Sequence, residues 1–350
     1  MYFSPNHMHI PDGYLSPATS LVMFLLVLPF WYLGAQALRK RMSARNMPYV
    51  ALMAAFSFII MMFNIPLPGG TSGHATGAAL AAILLGPQIA GIAVSIALVI
   101  QALFFGDGGI LQIGANCFTM GVVIPYVSYF IYQLISRNAS ITAKRRLVGA
   151  AVGGWVGLTL SALITAILFG VQPLLYTAAD GTPLYAPYAL NVAIPAMLIP
   201  HMLVASVIEG AVTALIVAYL QRTNPSVLEM SAQPQRAVEP QGARRLRWLW
   251  LGLAALVVLT PLGLLAPGTA WGEWGASELT DLGLNFVPQG LARLEGLWGA
   301  PMADYQVSFL GNASLGYVLS AVLGIALVSI VAWLFGKLLT RNRVTTETGK

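Results

Sequence analysis

Long apolar stretches alternate with short polar connections along the chain, and their lengths are typical of transmembrane helices. An α-helix needs about 20 apolar residues to cross the hydrocarbon core of a bilayer, and it satisfies its own backbone polar groups there. The pattern therefore predicts an all-α integral membrane protein. The nine apolar stretches cover residues 18–38, 48–64, 75–86, 88–105, 115–135, 147–170, 192–220, 246–265 and 312–338.

The composition agrees with a lipid-facing surface. Hydrophobic residues make up 57% of the 350 residues and charged residues only 9%, whereas soluble domains carry about 25% charged residues. The net charge of +6 is better explained by basic cytoplasmic loops than by a nucleic-acid partner. The single cysteine, Cys117, excludes an internal disulfide and a metal site built from several cysteines.

The number of spans depends on how residues 75–105 cross the membrane. The pair Gly86-Pro87 divides this stretch into two short spans or into one kinked helix. With two short spans and an external N-terminus, Arg293 is the one basic residue among the 18 that lies outside, as the positive-inside rule favours. The sequence therefore predicts nine spans in the plasma membrane, with the N-terminus outside and the C-terminus in the cytoplasm.

A polar stretch divides the chain into two parts. It is rich in Pro, Gln, Ser and Glu and has no apolar period, which is typical of a linker. Seven predicted spans precede it and two follow it. The predicted parts are a seven-span unit at 1–222, a cytoplasmic linker at 223–243, a two-span accessory region at 244–340 with an external loop at 266–311, and a cytoplasmic tail at 341–350.

Two of the four histidines lie in segments that this topology assigns to the outer face. His9 precedes the first span, and His74 ends a Gly-rich loop. If Met8 were the first residue, its amine, the backbone nitrogen of His9 and the His9 Nδ1 atom would chelate one ion. A nitrogen of His74 would complete a square-planar N4 site, which suits Ni(II) or Cu(II) and, next to them, Co(II). The other interpretation is that His9 and His74 are unrelated loop histidines.

Seven residues precede Met8 in the sequence. A peptide bond at this point would convert the amine into an amide, which has no basic lone pair for a metal. Three explanations stay open: translation starts at Met8, a protease removes residues 1–7, or this chain binds its metal in another way. We favour a start at Met8.

Three motifs occur in order at residues 8–15 (MHIPDGYL), 70–74 (GTSGH) and 114–121 (GANCFTMG). Over residues 8–222 the chain resembles the CbiM/NikM family, the substrate-binding components of energy-coupling factor transporters for cobalt and nickel. The extension at 1–7 is a departure from the family pattern. The accessory region resembles the small two-span CbiN/NikN proteins that are sometimes fused to these components.

The resemblance implies a seven-span fold, with Met8, His9 and His74 as the metal ligands. It also implies two partners, a transmembrane coupling subunit and an ABC-type ATPase. Ni²⁺ or Co²⁺ would then be the transported substrate rather than a permanently bound cofactor. The pair Pro11-Asp12 looks more like the nickel members of the family.

Two further polar residues have two interpretations each. Asn116 would hydrogen-bond a ligand imidazole in support of the metal site, or it would cap a helix. Asp12 would close the N-terminal segment over the site, or it would serve as a turn residue beside Gly13.

Other functions were weighed against transport. No phosphate-binding loop or hydrolase motif occurs in the sequence, so we expect no enzyme, and the energy for transport must come from a partner. An intramembrane metal-dependent enzyme using His74, His201 and Glu209 is the main alternative, but the predicted topology separates Glu209, near the inner side, from His74. A metal sensor or scaffold without transport is a third possibility.

Overall fold

A computed structural model gives the fold. Three parts of the chain named above lie wholly or partly outside the described residues: the extension at 1–7 with His7, part of the linker, and the tail at 341–350. The structure describes residues 8–42, 46–69, 71–231, 241–266, 269–307 and 310–340.

Most of the described chain is helical, as the apolar pattern predicts. The bounds are α1 Pro17–Arg41, α2 Met47–Met61, α3 Ala78–Leu85, α4 Pro87–Ile100, α5 Ile113–Phe118, α6 Ile124–Ser136, α7 Lys144–Gly170, α8 Gln172–Leu175, α9 Leu190–Pro200, α10 Ser206–Thr223, α11 Pro225–Leu228, α12 Gln241–Leu259, α13 Ala276–Asp281, α14 Gln289–Leu294 and α15 Ala313–Thr340; three π-helical turns cover Gln101–Phe105, Thr119–Val123 and His201–Ala205, and 3₁₀ turns cover Thr260–Leu265 and Ala303–Tyr305.

Six helices in the described ranges are long and apolar enough to cross a bilayer. Two more apolar helices, Met47–Met61 and Trp250–Leu265, are shorter. The chain is thus a multi-pass membrane protein. The finer prediction of seven spans plus two is not matched one for one by helices of membrane length.

The stretch predicted to span at 75–86 differs most from expectation. Its helix, α3, has eight residues and is about 12 Å long, far short of the roughly 30 Å hydrocarbon core. Residues 74–77 precede it as a loop. Gly86, at φ +80°, separates α3 from α4, so the two apolar stretches do form separate helices.

The short helices are enclosed by protein. Every residue of α3 is buried, and so are nearly all residues of α2 and most of α4. Apolar side chains exposed on α1 and α15, among them Leu21, Leu25 and Ile330, face outward as a lipid-contacting surface does. A helix that is surrounded by protein need not match the bilayer thickness, which explains how α3 can be short.

A small hairpin leads into the loop that carries His74. Strands β1 (Ile65–Leu67) and β2 (Thr71–Gly73) pair antiparallel, with Leu67 opposite Thr71. His74 follows β2 directly. A second loop follows the π-helical turn at Gln101–Phe105 and starts at Gly106, which has φ +67°. Together with the segment at 8–16, these two loops surround one buried site.

Candidate metal centre

The N-terminal segment is inserted among the loops of the protein. Met8, His9 and Ile10 are all buried. The segment turns at Gly13, which has φ +87°, a conformation that glycine adopts without strain. The Tyr14 carbonyl then accepts a hydrogen bond from the Ala186 amide at 3.0 Å.

The three predicted metal ligands lie together in this site. The rings of His9 and His74 meet edge to face, with centroids 5.2 Å apart. His74 Nε2 lies 3.2 Å from the Met8 carbonyl oxygen, and its Nδ1 lies 3.1 Å from the Ala75 carbonyl oxygen. All three ligands line a cavity of about 60 Å³. In this arrangement the His74 ring nitrogens face carbonyl oxygens, so a metal would require the ring to turn toward the Met8 and His9 nitrogens.

Asp107 is a central residue of the site that the sequence reasoning missed. The Met8 backbone nitrogen donates to its Oδ1 atom at 2.9 Å, and His9 Nδ1 lies 3.0 Å from the same oxygen. Two of the nitrogens predicted to chelate a metal therefore converge on one point. The sequence signal was a lone acidic residue in the Gly-rich loop 106–109.

The charges around the site favour a negative Asp107 and a neutral His74. Burial alone would raise the pKa of Asp107, but the neighbouring His9 imidazole and the hydrogen bonds from His9 and Tyr305 lower it below its ordinary value. Burial, followed by the proximity of His9, lowers the pKa of His74 to about 4. A neutral imidazole keeps the lone pair that a metal requires.

The Asn116 side chain holds the N-terminal segment by bonding to the backbone of Ile10. Its Oδ1 atom accepts from the Ile10 amide at 3.1 Å, and its Nδ2 atom donates to the Ile10 carbonyl at 3.2 Å. Asn116 lies inside α5, whose N-cap position is Gln112. In this structure the amide pairs with the extended backbone of Ile10 and not with an imidazole, and Asn116 does not cap a helix.

Asp12 fastens the same segment to the loop that carries Asp107. Its two carboxylate oxygens accept from the Ile110 amide at 3.0 Å and from the Leu111 amide at 2.9 Å. Gly109 donates to the Ile10 carbonyl at 3.0 Å, and a methyl group at Gly109 would overlap the Asp12 carboxylate. The close approach of the two chains therefore requires glycine at this position.

Glu209 supports the His74 loop and is not separated from it. Its carboxylate accepts from the amides of Thr76 at 2.7 Å, Gly77 at 3.0 Å and Ala79 at 3.2 Å. The topological argument that put Glu209 far from His74 is therefore wrong, because the loop before α3 reaches into the interior. With these bonds made, Glu209 acts as a structural cap.

His201 lines the same cavity as His74. Its Nδ1 lies 2.7 Å from the Met197 carbonyl oxygen, one helical turn earlier. The residues of the enzyme alternative are thus near one another. However, the carboxylate of Glu209 is already occupied by backbone amides, so it is not poised for acid–base chemistry.

The accessory region covers one side of the site. The Tyr305 hydroxyl donates to Asp107 Oδ2 at 2.6 Å and accepts from Gln101 Nε2 at 2.9 Å. The Tyr305 ring stacks on Phe105, with centroids 4.8 Å apart. Glu273 from the same region lines the cavity that holds His9 and His74. Burial, followed by the charge of Asp107, raises the pKa of Glu273 well above its ordinary value.

Side chains alone do not form a metal site here. Within the described ranges, no group of three or more His, Cys, Asp or Glu side chains is arranged to hold a metal ion. His9 Nε2 and Glu273 Oε2 are buried without a hydrogen-bond partner in the described structure, so the cavity has polar atoms available for an ion and its water.

Comparison with known proteins bears on both parts of the chain. A family model described as the cobalt uptake substrate-specific transmembrane region matches residues 9–227, and a model of the PDGLE domain matches residues 245–341. The fused nickel transport protein NikMN of Rhodobacter capsulatus is 51% identical over 335 residues, which are 92% of this chain and 95% of that protein.

Two further similarities agree with these matches. The probable fused nickel transport protein LarMN of Lactiplantibacillus plantarum is 40% identical over 323 residues, or 90% of this chain and 93% of that protein. A crystal structure of a truncated transition metal transporter is 50% identical and has a TM-score of 0.57; the match covers 61% of this chain and 98% of the other. These relatives are named as transport proteins and not as enzymes.

Proposed function

The chain belongs to the CbiM family of nickel and cobalt transport proteins, and we propose that it is the substrate-capture subunit of an ATP-driven energy-coupling factor importer for Ni²⁺. Co²⁺ is the nearest alternative substrate. The names of the two fused relatives support nickel. The fused C-terminal region, which we assign to residues 244–340 after a linker at 223–243, is the accessory part.

The observation that carries the proposal is the convergence at Asp107. The Met8 nitrogen and His9 Nδ1 both lie about 3 Å from Oδ1 of Asp107. Atoms that meet at one acceptor can also meet at one cation, provided that the carboxylate moves aside. The neighbouring His74 ring supplies a further nitrogen on the other side of Met8.

We propose an N4 site composed of the Met8 amine, the His9 backbone nitrogen, His9 Nδ1 and a nitrogen of His74. Such a site requires Met8 to be a chain end, because only a free amine has the basic lone pair. Square-planar nitrogen coordination favours Ni(II) over Zn(II) or Mg(II). Asn116 and Asp12 are positioning residues in this proposal, since they fix the segment that carries the ligands.

We propose that the N-terminus and this site face the outside and that the C-terminus is cytoplasmic. A transmembrane coupling subunit and an ABC-type ATPase would supply the energy, because the sequence has no phosphate-binding loop. Uptake of radioactive Ni²⁺ by cells that express the chain with and without its ATPase partner tests this assignment. Uptake that does not depend on the ATPase would contradict it, and binding without any uptake would favour a sensor or scaffold.

The ligand set is tested with purified protein in two forms, one beginning at Met8 and one that retains residues 1–7. We expect the first form to give a diamagnetic, square-planar Ni(II) complex and the second to lack it. Equal complexes in both forms would exclude the amine as a ligand.

A pair of matched variants tests the histidine. His74→Ala should abolish the complex, whereas His201→Ala, which changes the same cavity, should leave it intact. Loss of binding in His201→Ala with normal binding in His74→Ala would overturn the proposed site.

A further inference from the structure

A second, larger cavity lies on the outer side of the N-terminal segment. Its volume is about 480 Å³. It is lined by the loop at 106–110 and by the accessory region, and none of its described lining residues is Lys or Arg. Five of its lining residues are acidic: Asp12, Glu273, Glu278, Glu295 and Asp304.

Most of these carboxylates are held in place by the protein. Glu278 accepts from the Gly275 amide at 2.9 Å, and Glu295 accepts from the Ala276 amide at 2.8 Å. Asp12 is bound by two loop amides, as described above. These groups therefore provide a fixed negative field in the outer cavity, and such a field raises the local concentration of cations.

Glu273 differs from the other four acidic residues because it lines two cavities: the outer one and the inner one, which is also lined by His9 and His74. Its side chain is 4% exposed, and its Oε2 atom has no hydrogen-bond partner in the described structure. A buried carboxyl oxygen without a partner costs free energy. A cation that passes between the cavities would supply the missing partner.

The sizes of the two cavities indicate where an ion loses water. A cavity needs about 10–15 Å³ to hold one water molecule, so the outer cavity admits an ion with its full hydration shell. The inner cavity, at about 60 Å³, holds only a handful of water molecules. An ion that moves inward must therefore exchange water for protein ligands at the boundary, which is the position of Glu273.

We propose that the acidic outer cavity is the path by which a hydrated divalent cation reaches the inner site, and that Glu273 binds the ion transiently as it passes between the two cavities. This inference rests on the proposed function of the inner site. It assigns the accessory region a direct role, because that region contributes Glu273 itself.

The test is the rate at which the protein that begins at Met8, with its accessory region in place, binds Ni²⁺. Stopped-flow absorbance of the square-planar complex reports only ions that have reached the inner site. We expect Glu273→Gln to slow association about tenfold or more, at the low end of the effect of a charged cleft, because an amide cannot lose a proton and bind the arriving cation as an anion. The equilibrium Kd should stay within about twofold, because a group on the path lowers the association and dissociation rates by the same factor. Asp281→Asn is the matched control, since Asp281 is an exposed acid of the same region that lines neither cavity.

Different results overturn different parts of the argument. An unchanged association rate in Glu273→Gln, or an equal slowing in Asp281→Asn, would exclude the path. A Kd that rises by the same factor by which the association rate falls would show that Glu273 belongs to the inner site instead. Absence of any complex in the unsubstituted protein that begins at Met8 would overturn the proposed function, and this inference with it.

A second measurement does not depend on any variant. If the outer cavity attracts the ion, association with the wild-type protein should slow as ionic strength rises from 0.01 M to 1 M, because the Debye length falls from about 30 Å to about 3 Å. A rate that does not respond to salt would contradict the inference.

Discussion

Replacing Asn116 by Ala should weaken Ni²⁺ binding about 30-fold, although Asn116 is not proposed to touch the metal. The substitution removes both hydrogen bonds to Ile10. The Ile10 carbonyl keeps its bond from Gly109, so little is lost there. The buried Ile10 amide loses its acceptor, which costs about 1–3 kcal/mol. The segment is then released in the variant without metal, as the hydrogen-exchange measurement below tests, and binding must reseat it. A central value of about 2 kcal/mol for that step, at 1.4 kcal/mol per factor of ten, gives the stated weakening.

Isothermal titration with Ni²⁺ measures this effect. Hydrogen exchange of residues 8–14 should show that the segment opens more often in the variant. Thr165→Val is the control, because Thr165 lines the same cavity and its hydroxyl donates only within its own helix, to Ser161. If Asn116→Ala bound Ni²⁺ within about twofold of the wild type, the segment would not depend on this amide for its position.

Three further outcomes are expected. In a titration, Gly108→Ala should reduce the Ni²⁺ affinity about tenfold or more, because Gly108 has φ +91° and a methyl group there would press on the N-terminal segment. Its control, Gly299→Ala, adds a methyl group in open space and should leave the affinity unchanged. Tyr305→Phe should lower the melting temperature by several degrees, since the Asp107 carboxylate loses a hydrogen bond of about 1.5–3 kcal/mol. The pKa of His74 is lowered to about 4, so the unfolded chain takes up a proton at a higher pH than the folded chain does. The free energy of unfolding, measured by denaturant titration, should therefore fall as the pH is lowered from 6.5 to 4. The fall should be smaller in His74→Gln.

The sequence was sufficient to predict the helical membrane fold and the meeting of His9 with His74. Both predictions depend on strong signals: apolar stretches of bilayer length, and histidines so scarce that two on the same predicted side stand out. The separation of α3 from α4 followed from the distribution of basic residues, which favoured two short spans over one helix kinked at Gly86-Pro87. These features are local or compositional, so a single sequence contains them.

Asp107 and Glu209 were missed or misassigned for a physical reason. Asp107 meets Met8 across 99 positions of the chain, and Glu209 meets Thr76 across 133. No spacing rule relates residues so far apart. The depth of Glu209 was inferred by counting α3 as a full span, but an enclosed helix of eight residues carries no information about membrane depth.

The accessory region contacts the site more closely than the sequence predicted. Its loop was expected only to be external and acidic, yet it reaches Asp107 through Tyr305 and the inner cavity through Glu273. Neither residue belongs to a recognisable motif. Such contacts depend on how two parts of the chain pack together, and the apolar pattern contains no information about that packing.

The role of Asp107 links the observed arrangement of the site to the proposed metal-bound one. Its carboxylate holds the Met8 nitrogen and His9 Nδ1 close together, which reduces the ordering that an arriving ion would otherwise have to impose. The same carboxylate must then give up those two contacts to the ion. Its other oxygen stays bonded to Tyr305, so the accessory region can hold Asp107 near the cation as a compensating charge. Metal capture and the seating of the accessory region should therefore be coupled, and by thermodynamic linkage each should stabilise the other to the same extent.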